Sequence, residues 1–144
     1  RTPNRPDAVG TWTGLTPATT RADLARAAYE ALLCSLADAV DRLVEETGEQ
    51  PRRLLLVGGA TRSAALRALA PAVLGRPVTL PPPGEYVALG AARQAAWALS
   101  GATEPPGWAL PDLQVVEAEP TPHVRGAYAD LRARTGAWTP TTPS

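Results

Sequence analysis

The sequence predicts an α/β fold with parallel strands, crossover helices and a sheet short of strands. Three observations lead there. The apolar periodicity changes along the chain in the order helix, strand, helix, strand, helix. The continuous apolar run Leu54-Leu55-Leu56-Val57 is stopped by Gly58-Gly59, the pattern of a strand buried on both faces that runs into a turn. Only one other clear strand follows, Val78-Thr79-Leu80, and two strands do not make an independently stable sheet. Further residues, a second chain or a swapped element are expected to complete it.

Residues 1–19 read as an extended loop, because Pro3, Pro6, Gly10, Gly14 and Pro17 forbid a long regular element, with Thr11-Trp12-Thr13 as a very short strand. A long helix follows. Thr20 and Asp23 fit a capping box, and Asp23 faces the positive end of the helix dipole. Leu24, Ala28, Leu32, Leu36, Val40 and Leu43 recur on one side, and the pairs Arg26/Glu30 and Asp38/Arg42 sit four apart on the outside. Gly48 ends this helix, which at 1.5 Å per residue is roughly 40 Å long. A second helix is expected from Arg62 to Ala70, with Thr61 as N-cap, Pro71 as an interruption and Gly75 closing the last turn. Pro81-Pro82-Pro83-Gly84 makes a rigid turn into a third helix over Glu85–Ser100, whose Ala88, Gly90, Ala91, Ala92, Ala95 and Ala96 permit close packing. Residues 102–112 are a Pro-rich connection, 113–117 read as extended, and a modest helix spans Pro122–Arg134 with Pro where helices tolerate it. A disordered end is expected from Thr139 to Ser144.

Composition narrows the function. With 144 residues the chain is one ordinary domain in size. It opens on Arg1 and not Met, from which a processed or partial protein is expected. Its 14 acidic residues balance 14 basic ones, all Arg and all dispersed, so no footprint for nucleic acid or an anionic membrane is visible. Cys34 alone cannot form an internal disulfide, and no Cys/His cluster has zinc spacing. No apolar run reaches membrane-spanning length and no secretory signal is present, which makes a cytoplasmic protein the expectation.

The best local signal is Leu54 to Ser63. Ligands of open α/β sheets sit beyond the carboxyl ends of the strands, glycines admit a ligand to the backbone, and a helix start offers free N–H groups to a phosphate. The same spacing fits a tight strand-to-helix turn with no ligand. Glu85 fits either a ribose contact or a plain complement to the helix dipole. His123 reads as a surface residue without catalytic partners, and Cys34 as a small core residue. Trp12, Trp97, Trp108 and Trp138 are too scattered for a stacking platform, and no P-loop is present.

Five segments, in order, resemble the C-terminal domain of FGGY-type carbohydrate kinases. They are Arg1-Thr2-Pro3-Asn4 with Gly10 to Thr16, Leu24 to Leu32, Leu55 to Ser63, Gly75 to Val78, and Glu85 to Ala92. The resemblance covers residues 1–101 and leaves 102–144 as a Pro-rich connection, a short helix and a flexible tail. Within the family the likeness is greatest to members acting on D-xylulose. It implies part of an actin-like, RNase H-type kinase, with ATP and Mg²⁺ as cofactors and a ketose, D-xylulose, as substrate. It further implies that the backbone of Gly58, Gly59 and Ala60 lies against the nucleotide and that Ser63 makes a polar contact to it. The segment departs from the commoner three-glycine form at Val57 and Thr61. No residue here matches the family's catalytic aspartate, its sugar contacts or its metal ligands, so this chain alone is expected to be inactive. With Leu54 to Val57 left as an apolar edge, it is expected to be poorly stable or to associate as a homo-oligomer.

Overall fold

The computed structural model describes residues 10–109 and 112–136. Arg1 to Asn4, Trp138 and the expected disordered end lie outside them.

Helix α1 covers Arg21–Thr47. Its start is the capping box read from sequence: Asp23 N–H donates to Thr20 Oγ1 at 3.2 Å, and Thr20 N–H donates to the Asp23 carboxylate at 2.9 Å. The Thr20 N–H, and after it the Thr20 hydroxyl donating to the same oxygen at 2.8 Å, hold the Asp23 carboxyl below its usual pKa. Gly48 ends the helix in the left-handed conformation, φ 70°, where a Cβ is costly.

The buried side of α1 differs from the one expected. Leu33, Cys34 and Ala37 are buried, with Tyr29 packed beside them. Leu32, Leu36 and Leu43 of the expected stripe are exposed, Leu43 by 65%. Both sides of the helix carry apolar residues, and helix α2, Ala64–Leu74, packs against the Leu33 side. The exterior pairs divide likewise. Arg26 reaches Glu30 at 2.7 Å, but Arg42 turns to Glu45 at 3.3 Å because Asp38 is held elsewhere.

Strand β1 is only Leu54–Leu55, and Leu55 and Val57 are exposed. The run is half-buried at Leu54 and Leu56 and exposed at Leu55 and Val57, because β1 is an edge strand and, among the described residues, no second layer covers it. Gly59–Arg62 forms a single 3₁₀ turn, after which Ser63, not Thr61, caps α2: Leu66 N–H points at Ser63 Oγ, 3.4 Å away. The Thr61 hydroxyl is spent inside the turn, donating to Gly58 O at 2.7 Å. Pro71 does not interrupt α2. It lies fully buried within it, flanked by buried Ala70 and Val73. Its missing N–H and the clash of its ring with the carbonyl one turn earlier cost about 3 kcal/mol, offset by the burial of Ala70, Pro71 and Val73. Gly75 then closes the helix at φ 68°.

Strand β2, Val78–Leu80, is buried throughout and pairs in parallel with β1, Leu54 opposite Val78. Helix α3, Tyr86–Ser100, has no buried residue, and Val87 and Leu99 are about nine-tenths exposed. Of its small residues Ala88, Gly90, Ala91, Ala92 and Ala95 are exposed and Ala96 is half-buried. Strand β3, Gln114–Val116, supplies a third strand in the order β1-β2-β3. It runs antiparallel to β2, so the sheet is mixed where an all-parallel one was expected. Thr11 to Thr13 forms no strand. Helix α4, Pro122–Thr135, follows and lies against α1 and α2. The core these elements enclose is small: Leu33, Cys34, Leu66, Ala70, Val73, Val78 and Leu80.

Candidate functional site

Parallel pairing of β1 and β2 brings their carboxyl ends to one edge, where the chain leaves each strand in a turn. Beyond β1, Leu56 N–H still donates to Thr79 O at 2.9 Å, so the ladder holds until Val57. Gly58 then takes φ 107°, ψ 173°, a combination open in practice only to glycine. The turn that follows is closed by Thr61 N–H donating to Gly58 O at 3.1 Å and Ser63 N–H to Ala60 O at 3.1 Å. Arg67 reaches back from α2 and donates to Thr61 O at 2.7 Å and Arg62 O at 3.1 Å. Beyond β2, Tyr86 donates its hydroxyl to Pro82 O and lays its ring 3.5 Å from where a Gly84 Cβ would stand.

Between the two turns lies a cleft of about 160 Å³, bounded by Leu56 to Gly59, Thr61 and Arg62 on one side and Pro81 to Val87 on the other. Gly59 leaves it open: an added Cβ would meet nothing within 4 Å. The amides of Gly59 and Ala60 precede the first hydrogen-bonded N–H of the turn, Thr61, and so have no acceptor inside it. Exposed Arg62 sets a cation at the rim and exposed Glu85, at the start of α3, an anion.

Of the residues singled out by sequence, Gly58 and Gly59 line this cleft, Ala60 lies in the turn above it, and Glu85 lines the opposite wall. Ser63 faces away. Its hydroxyl caps α2 and stands 3.0 Å from the Tyr29 hydroxyl of α1. Arg62 and Tyr86 belong to the cleft without having been singled out for a contact. The cation directly after Gly-Gly-Ala-Thr was the available signal for Arg62, and the Pro-Gly-Glu-Tyr junction for Tyr86.

A larger groove of about 860 Å³ opens between Gly10–Thr13, α1 and α4. It lies away from the strand ends, and its chemistry is weaker. His123 stands exposed at its border. Cys34 is 1% exposed, and burial pushes its thiol up to about 11, against the smaller opposing pull of the Arg125 charge. That is the state of a packed core thiol and the opposite of an activated nucleophile. Among the described residues no three His, Cys, Asp or Glu side chains gather to hold a metal ion, and no helix is long and apolar enough to cross a membrane.

Residues 1–99 match the model of the FGGY family of carbohydrate kinases, C-terminal domain. The xylulose kinase of Streptomyces coelicolor is 42% identical over 101 residues, 70% of this chain and 21% of that protein. The glycerol kinase of Dechloromonas aromatica is 40% identical over 87 residues, 60% of this chain and 17% of that protein. Among solved structures, the xylulose kinase of Bifidobacterium adolescentis superposes with a TM-score of 0.73 at 53% identity, covering 91% of this chain and 26% of that one. The xylulose kinase of Rhodospirillum rubrum gives 0.61 at 33% identity, with 92% and 27% covered. The chain thus spans about a fifth of the length of these sequence relatives. Family model, relatives and fold concur: the chain belongs to the FGGY family of carbohydrate kinases and carries part of its C-terminal domain.

Proposed function

We propose that this chain is the adenosine-facing part of a cytoplasmic kinase of xylose metabolism that transfers the γ-phosphoryl group of ATP to D-xylulose, giving D-xylulose 5-phosphate. The observation that carries the reading is the open Gly58-Gly59 turn at the carboxyl ends of two parallel strands, within a chain 42% identical to a xylulose kinase. ATP with Mg²⁺ supplies the transferred group and the neutralising charge when bound. The residues fit the nucleotide: Gly58 and Gly59 present bare backbone to it, and the Gly59 and Ala60 amides offer hydrogen bonds. Arg62 places a positive charge beside an anionic group, and Ser63 fixes the turn to α1 through Tyr29. No side chain among the described residues is proposed as a ligand of that ion. The catalytic base and the sugar contacts are assigned to none of its residues. The exposed Leu55, Val57, Val87 and Leu99 favour association, either with the rest of such a kinase or as a homo-oligomer.

Calorimetric titration of the chain with ADP tests the site, with Gly59→Val as control. An added Cβ there meets no protein atom within 4 Å, and circular dichroism of the variant checks that it folds as the parent does. Binding that the substitution abolishes supports the reading. Equal binding by both refutes the assignment of Gly59. The likeness to glycerol kinases gives a second reading, a related family member acting on glycerol. ADP release by the complete protein, with D-xylulose and glycerol compared, separates the two. Nucleotide binding with turnover of no sugar would instead mark a non-catalytic relative.

A further inference from the structure

Helix α4 is held at its two ends by different forces. At its start, Thr121 N–H donates to Ala72 O of α2 at 2.9 Å, and the preceding β3 is paired with β2. Along its length no residue is fully buried, and its apolar contribution to the core is half-buried Val124 and Tyr128. What joins the rest of α4 to α1 is charge. Arg125 pairs with Asp41 and stands 3.7 Å from Asp38, and Arg132 pairs with Asp38. Arg132 also lies over the Tyr128 ring, 5.7 Å from its centroid. Asp38 is shared by both arginines. Cys34 lies one helical turn before Asp38, buried in the core cluster that Val124 and Tyr128 cover, and it is the only thiol in the sequence.

We propose that α4 is a salt-sensitive strap, hinged at Thr121 and latched by Arg125 and Arg132 onto Asp38 and Asp41, that opens as a unit before the rest of the fold. Opening uncovers Cys34 and widens the groove between α1 and α4. The physical ground is the contrast between the two attachments. Ion pairs with partly exposed partners weaken as the screening length falls from about 10 Å at 0.1 M salt to about 3 Å at 1 M. Apolar packing between α1 and α2 has no such weakness. Segments with few buried apolar contacts are those that open locally.

Cys34 reports the opening directly. The full chain is labelled with an aromatic disulfide reagent at pH 8 in 0.05 M and 1 M NaCl. Labelling is expected to be about tenfold faster at high salt, from the loss of two to three partly exposed pairs. The double variant Asp38→Asn/Asp41→Asn, which removes both carboxylates that hold Arg125 and Arg132, is expected to label at the fast rate already at low salt and to respond little to more. Hydrogen exchange read in the same samples distinguishes a strap from general loosening: amides of residues 122–135 speed up while those of 64–74 stay protected. Labelling that ignores salt in the unmodified chain overturns the proposal. So does labelling that accelerates only together with exchange across α2.

Discussion

Burial of Cys34 makes a quantitative statement about stability in alkali. The thiol is pushed from its ordinary 9.0 to about 11, chiefly by burial, with the Arg125 charge opposing and the Asp38 and Glu30 charges adding to the rise. Below pH 9 the thiol is protonated in both the folded and the unfolded chain, and it contributes no pH dependence. Above pH 9 the unfolded chain releases the proton while the folded chain keeps it, so the unfolded state binds fewer protons and stability falls as pH rises. The limiting slope is about 1.4 kcal/mol per pH unit. Across the two thiol pKa values this amounts to a loss of about 1 kcal/mol by pH 10 and about 2 kcal/mol by pH 11. Urea unfolding followed by circular dichroism at pH 8, 9, 10 and 11, under a thiol-free reductant, measures it. The reference is Cys34→Ala, which keeps every other side chain of the protein. That variant starts about 1 kcal/mol lower at pH 8 from the hole it leaves, and because it lacks the extra alkaline slope the gap should close and then reverse toward pH 11. Parallel stability curves for the two proteins would refute the reasoning, because they would mean that the thiol ionises as readily in the folded chain as in the unfolded one.

Two further outcomes are expected. Gly58→Ala should cost about 1–3 kcal/mol in chemical denaturation, because a side chain is forced to φ 107°, whereas Gly59→Ala at an ordinary φ and with open space around it should lie within about 0.5 kcal/mol of the parent. Leu33→Ala should cost about 2–5 kcal/mol and Leu32→Ala no more than about 0.5 kcal/mol, since the first is 0% exposed and the second 44%; equal costs would return the core to the other side of α1.

What was legible in the sequence were the positions where local chemistry decides. The Thr20/Asp23 box, the helix-ending glycines Gly48 and Gly75, and Pro122 at the start of α4 all punctuate the chain as read. What was not legible depended on distant partners. Leu24, Ala28, Leu32 and Leu36 form one apolar side of α1 and Tyr29, Leu33 and Ala37 another. Periodicity cannot choose between them, and contact with α2 does. The Arg42 contact differs for the same reason: Asp38 is taken by Arg125 and by Arg132, the latter 94 residues away. Burial, not propensity, keeps Pro71 inside α2. The orientation of β3 has no local signature at all. In the candidate site, the glycines followed from the strand-to-turn pattern. The opposite wall, Pro81 to Val87, became part of the same cleft only once β1 and β2 were paired.

The turn after β1 is bound from three directions: by Thr61 to Gly58, by Arg67 to the carbonyls of Thr61 and Arg62, and by Ser63 to Tyr29. Its shape is therefore set when the chain folds, and a ligand arriving there has no loop left to order. Affinity at such a turn is not diminished by the roughly 1–2 kcal/mol per residue that a disordered loop would surrender on binding. Substitutions at Arg67 or Tyr29, which do not border the cleft, should consequently weaken binding by loosening the turn, while leaving the groups that face the ligand unchanged.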